Sequence, residues 1–348
     1  MKRLVLVILA ACGGGNHPTT VAAPPPSPSE PVKMEPPVPP APPARIATQT
    51  AQPQNLQFPD EEFRAKQPAA AAVRPFQLPP IKPFTLANGI QVYLVEQHHL
   101  PLVSMDLNFD GGSLTDPKGK EGLASVCTSM LTEETDKLDK IQYSEALADV
   151  ASSINAYAAD DSQGLGLASL TKHLPATFQL FADTVRTPGL RQSDLDRMLK
   201  RRIEAVKQAK GNPTAIPGRV YGTILYGEKH PFGAIVTEQS LGAITLADCK
   251  KQLATWFQPK HARLFVVGDL TEQQLRDTFA KSPLAAWKGT APKLPTLPTP
   301  ETMKGRIFFV HVPNAAQSTV MLLEHGPQRT APDYFSNMIM ASVFGGGF

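Results

Sequence analysis

Proline decides where this chain can fold. The 348 residues include 35 prolines, and they crowd into a tract from His17 to about Asp60, where "APPPSPSEPVKMEPPVPPAPPA" carries no apolar period. Proline fixes φ and removes a backbone donor, so this density favours extended polyproline conformation over helix or inner strand. A segment with nothing to bury holds no core, and it reads as a spacer that sets a domain away from a surface. A ligand for a proline-reading module is the alternative.

Ahead of the spacer stand Lys2 and Arg3, the apolar run "LVLVILAA" and Cys12. That run is too short to span a bilayer as a mature helix, and its place and flanks are those of an export signal. Its end, "LAAC", resembles a bacterial lipobox, in which cleavage before the cysteine leaves Cys12 as the lipid-bearing first residue. An ordinary secretory signal with an incidental cysteine is the rival. The expected organisation is a signal over 1–11, a flexible linker over 12–75, a folded domain over 76–290, a second proline-rich bridge over 291–303 and the beginning of a further unit over 304–348. The expected location is the bacterial envelope, lipid-anchored to the outer membrane and facing the periplasm. A formal charge of +3 with no basic run interleaved with aromatics leaves nucleic acid outside the expected partners. Cys127 and Cys249 are expected to be small buried hydrophobes, because one pair makes no disulfide framework.

Folding starts near Pro79. "FTLANGIQVYLVEQ" predicts two strands about the hairpin signal Asn88-Gly89. "PLVSMDLNFDGGS" predicts a third, ending in a glycine turn before a helix. Further elements follow: a helix around Tyr143 to Ser152, a strand pair in "INAYAADDSQGLGLASL", a helix around Pro175 to Thr187, and a long helix from Ser193 with Asp196 completing a capping pattern. Gly164 to Gly166 read as strand alternation, since no helix start follows. After "YGEKHPFG" come a helix, the buried strand "ARLFVVGDL" and a helix from Thr271. Beyond the bridge, "GRIFFVHVP" and "STVMLLEHG" predict two strands before a closing helix from Pro332. The fold class is α+β: a mostly antiparallel sheet covered on one face by helices, plus the start of a second similar domain.

The helix in "GLASVCTSMLTEET" carries two stripes. Leu123, Val126, Cys127, Met130 and Leu131 form the buried one, while Ser125, Thr128, Ser129 and Thr132 line up beside it as a face of hydroxyls. Short hydroxyl side chains compete with the helical backbone, so a whole face of them needs a reason.

From about Phe84 to Phe348 the sequence resembles the insulinase/pitrilysin-type metallopeptidases. The resemblance rests on "LANGIQVYLVEQHHLPLVSMDLNFDGGSLTDPKGKEGLA", "SSINAYAADDS", "LYGEKHPFG", "VVGDLT", "PNAAQSTVMLLEHGP" and "VFGGGF". In active members the helix after the "GLA"-like turn carries H-x-x-E-H, two imidazoles on one face for Zn²⁺ and a glutamate as general base, with a downstream glutamate closing the site. The resemblance puts those roles at Ser125, Thr128 and Ser129, and the downstream glutamate at Ala205. Serine and threonine are poor zinc donors, so it implies a degenerate site and no cofactor, in contrast to zinc in the active relatives. Glu204 is the alternative ligand, but Leu195, Leu199, Ile203 and Val206 define the buried stripe and helical phase turns Glu204 away from it.

His98 and His99 point to opposite strand faces and cannot chelate together. His230 and His261 read as structural. Asn155 and Ala156 match an edge-strand position where the family holds substrate backbone.

The resulting expectation is a pseudopeptidase, serving as the partner of a zinc-motif-bearing homologue in a heterodimer or as a peptide-binding subunit, with its lipid in the membrane. The alternatives are an active zinc metalloendopeptidase with unconventional ligands, and a peptide- or envelope-binding lipoprotein with no peptidase role. The apolar closing helix, with Phe335, Ile339, Met340 and Val343, is expected to find little to pack against.

Overall fold

The computed structural model describes residues 77–300 and 305–346 apart from 316, together with residues 69, 71, 72 and 75. The signal segment, Cys12 and the proline tract lie outside the described residues. The folded body falls within the unit Pro75–Phe348.

Six strands make one sheet: β1 (Lys82–Thr85), β2 (Gln91–Glu96), β3 (Leu102–Asp110), β4 (Ser153–Ala158), β5 (Ser162–Leu170) and β6 (Arg263–Gly268). Their spatial order is β1-β2-β6-β3-β5-β4. Only β2 and β6 run parallel, and every other pairing is antiparallel, so the expected mixed sheet is present. β6 comes last in sequence yet lies between β2 and β3. Its docking therefore closes the domain through contacts of long sequence separation.

Alternation decides which face is covered. Val103, Met105, Leu107 and Phe109 of β3 are buried, as are Leu264 and Val266 of β6 and Val92 and Leu94 of β2. These residues share the face that meets the helices, where burying each large side chain contributes about 1.5–3 kcal/mol. Phe109 packs on Phe257 and Trp287 with ring centroids 4.6 and 5.8 Å apart. The intervening residues form the other face, where Asp106, Asn108, Tyr157, Arg263 and Asp110 bond to one another. Burial raises the Tyr157 hydroxyl to about 12 and also raises the Asp106 carboxyl.

The helices are α1 (Leu123–Met130), α2 (Lys140–Asp149), α3 (Leu174–Arg186), α4 (Gln192–Lys210), α5 (Ala215–Tyr226), α6 (Glu238–Gly242), α7 (Leu246–Trp256), α8 (Glu272–Ala280) and α9 (Tyr334–Ala341). Capping boxes start α2, α6, α7 and α8. At α4 the expected Ser193…Asp196 cap is absent. The N-cap is Arg191 with no side-chain bond, and Asp196 instead accepts from Gln192 one turn earlier. Helix α5 was not anticipated, and the single helix expected after "YGEKHPFG" is two, α6 and α7.

Two further expectations are corrected. Cys127 and Cys249 are joined in a disulfide between α1 and α7, so they are a cross-link inside the core and not free apolar fillers. "GRIFFVHVP" and "STVMLLEHG" form no strand: Ile307 is 97% and Val320 91% exposed. A lone apolar hairpin has no second layer to bury its face and is marginal in water. α9 does form, and Phe335, Ile339, Met340 and Val343 around it stay exposed.

Candidate functional site

Helix α1 is set in place by its first turn. Gly122 at the N-cap takes φ +99°, a left-handed conformation that suits glycine. The Asp116 carboxylate accepts from the backbone N–H groups of Gly122 and Ala124, both at 2.8 Å. Burial outweighs those bonds and pushes Asp116 up to about 6. On the far side, the Cys127–Cys249 bond ties α1 to α7. The helix that carries the hydroxyl face is thus tied down at its first turn and again at its middle.

That face has two fates. Thr128 is fully buried, and its hydroxyl donates to Gln163 Oε1 on β5 at 3.1 Å. Gln163 Nε2 in turn donates to the Asp110 carbonyl at 3.3 Å. Gly111, at φ +130°, leaves the space that Gln163 fills, because a Cβ there would collide with Nε2. Ser125 and Ser129 are half-buried and bind a guanidinium. Arg202 Nη1 donates to Ser125 Oγ at 2.9 Å, and Nη2 donates to Ser129 Oγ at 2.9 Å and to the Ser125 carbonyl at 3.3 Å. Ser129 Oγ donates back to the Ser125 carbonyl at 2.8 Å.

Arg202 comes from α4, one turn before Ala205. Burial and the neighbouring Arg201 lower its pKa, yet a guanidinium stays charged at neutral pH. Three other cations of α4 have carboxylates: Arg197 meets Glu133 and Asp194, Lys207 meets Glu204, and Lys210 meets Glu238, while Lys200 and Arg201 are exposed to solvent without an ion pair among the described residues. Arg202 forms no ion pair among the described residues. Glu204 is exposed and bonded to Lys207 at 2.7 Å, and Ala205 is exposed with a methyl group only.

These donors do not fit zinc. Two serines, a threonine tied to Gln163 and an alanine offer neither imidazole nor carboxylate, and a fixed cation already sits between the two serines. No group of three or more His, Cys, Asp or Glu among the described residues is arranged to hold a metal. His98 lies after β2 with Nδ1 on Asp269 at 2.8 Å. His230 is buried, accepts from the Phe232 N–H and meets the Pro298 carbonyl. His261 takes φ +75° in the turn before β6.

β4 is the end strand of the sheet. Asn155 pairs with Gly166 and Ala156 with Leu165 on its inner side, and no described strand lies on its outer side. Asn155 is exposed and Ala156 half-buried. α1 packs against β4, which puts the hydroxyl face and the open strand edge in one neighbourhood.

Residues 91–224 match the family described as Insulinase (Peptidase family M16), and residues 243–348 match Peptidase M16 inactive domain. The chain belongs to the insulinase family. Among its curated relatives, a protein named Zinc protease PqqE from Helicobacter pylori is 24% identical over 59% of this chain and 47% of its own length. A second from the same organism, named Non-peptidase homolog YmxG, is 22% identical over 74% and 60%. The chain therefore spans about half to three-fifths of those relatives. In shape it resembles a peptidase M16 inactive domain from Pseudomonas fluorescens, at 25% identity and a TM-score of 0.58, covering 64% of this chain and 54% of that one. A protease from Helicobacter pylori aligns with a TM-score of 0.55 at 22% identity, over 64% and 54%.

Arg202 and Gln163 were missed in the sequence. The signal for Arg202 was its phase, since Leu195, Leu199, Arg202 and Val206 share the inward stripe of α4. Gln163 gave none, because its partner Thr128 is 35 residues away.

Proposed function

We propose that this chain is a non-catalytic member of the insulinase family that binds extended peptide and serves as the partner of a zinc-motif-bearing homologue. The observation that carries the reading is the guanidinium of Arg202 on Ser125 and Ser129, which the resemblance assigns to the two histidines of active members. Thr128, at the position of the general base, is neutral near pH 7 and already donates its hydroxyl to Gln163. The open edge of β4 still offers backbone groups to an added strand, and that capacity needs no metal. A relative named as a non-peptidase homologue supports the same direction.

In this reading the chain works in the bacterial envelope, held by lipid on Cys12. The Cys127–Cys249 bond supports an oxidising compartment. Among the described residues no helix is long and apolar enough to cross a membrane.

Co-expression with a zinc-motif homologue tests the partnership. The pair should cleave peptide, and this chain alone should not. Chelator-sensitive cleavage by this chain alone would favour an active enzyme with unconventional ligands. Hydrogen exchange at the outer amides of β4 should slow when peptide is added. Fatty-acid labelling should vanish in Cys12→Ser, and equal label in both proteins would remove the anchor.

A further inference from the structure

We infer that Arg202, Ser125 and Ser129 form a carboxylate-binding site that fixes one end or one acidic side chain of the bound peptide. The inference rests on the proposed peptide-binding role and adds the chemistry that the peptide must bring.

Three observations converge. First, the guanidinium is held by neutral oxygens only, through three hydrogen bonds that use three of its five N–H donors. Two donors are left for a ligand. Second, Arg202 is half-buried without a carboxylate among the described residues, whereas the adjacent Lys200 and Arg201, which also have none, are exposed to water, and Arg197, Lys207 and Lys210 each have one within 2.7 Å. A partly desolvated cation without an anion is unfavourable, and binding an anion relieves that cost. Third, α1 carries both serines and packs on β4, the end strand whose outer side no described strand covers.

The geometry also favours a carboxylate over a neutral amide. Both Nη2 donors and one of Nη1 are engaged, so a carboxylate meets either Nε–H or the remaining Nη1–H through a single charge-assisted bond, which is shorter and about twice as strong as a neutral one. Ser125 and Ser129 fix the guanidinium beforehand, which reduces the entropy lost on binding. Arg202 holds the ligand and does no chemistry on it.

The test uses the full chain and an unstructured fluorescent decapeptide without internal acids, in free and amidated C-terminal forms. A second amidated pair carries one central Glu or Gln. Wild type should bind a carboxylate form about tenfold tighter than its neutral counterpart. The free-terminus arm and the central-Glu arm tell which source the site uses. Arg202→Gln should erase that preference in a protein that still melts in one cooperative transition. Equal binding of all four peptides by wild type, or a preference that survives in Arg202→Gln, overturns the inference. A separate arm titrates sodium acetate and follows the Arg202 Nε–H resonance by NMR. A saturable shift without any peptide binding would sink the peptide-binding reading and leave the anion site standing. A resonance that acetate does not saturate would refute the site itself.

Discussion

Reducing the Cys127–Cys249 bond should cost this domain a large part of its stability. The two cysteines are 122 residues apart in sequence, so the cross-link closes most of the domain into one loop. On the chain-entropy account a loop of that length restricts the unfolded state by about 4–5 kcal/mol at 25 °C. Both cysteines are fully buried, between α1 and α7 in the main core, so reduction changes the connection with little change in side-chain volume. For a domain of this size the loss corresponds to roughly 10–20 °C in melting temperature. The assay is urea unfolding of the oxidised protein against protein unfolded in reductant and refolded in reductant. Cys127→Ala with Cys249→Ala serves as the control, and reductant should not alter it further. Alkylation of both Cys127 and Cys249 after denaturation without reductant, mapped by peptide mass, or unfolding curves that coincide with and without reductant, would refute the reasoning. The bond also bears on the site. Cys127 sits between Ser125 and Thr128, so the reduced protein should hold Arg202 less firmly against α1.

Two other perturbations follow from the same geometry. Restoring Ser125→His, Thr128→Glu, Ser129→His and Ala205→Glu should yield only weak zinc binding while Arg202 remains. Adding Arg202→Ala should tighten zinc at least about a hundredfold, because a unit charge a few ångströms from a divalent ion repels it strongly at an effective dielectric near 20; calorimetry giving equal affinities would contradict Arg202 as the obstacle. Asp116 has a folded pKa of about 6 against an unfolded value near 3.9, so between those values the folded state binds more protons. Its contribution to stability therefore falls as pH rises from about 4 to about 6, by up to roughly 2–3 kcal/mol, and Asp116→Asn should flatten that slope in urea titrations.

How much of this was legible in the sequence depends on the range over which each feature is decided. Asn88-Gly89, the alternation in "LVSMDLNF" and Thr271 before α8 are local signals, and the structure honours them as β1–β2, β3 and a capping box. The α+β class and the sheet covered on one face followed from such signals. The disulfide did not, because pairing across 122 residues depends on how α1 and α7 pack and leaves no mark on either cysteine. The strands expected in 305–313 and 318–326 show the opposite error. Alternation promised a buried face, but a face needs a partner layer, and Phe308 to Val310 remain exposed. At the site, the hydroxyl stripe on α1 was readable as a distinct face of the helix. Its engagement by Arg202 was not, because that contact joins residues 73 and 77 positions apart on two helices.

The central claim is that Ser125 and Ser129, which the resemblance assigns to the family's two histidines, hold a guanidinium and do not bind zinc. Elemental analysis of the full chain, purified without chelator and paired with a peptidase assay, tests it most directly. The account predicts substoichiometric zinc, no cleavage, and no gain of either after incubation with excess zinc. One zinc per chain, lost together with peptidase activity on chelation and absent after mutation of Glu204 or His98, would contradict it.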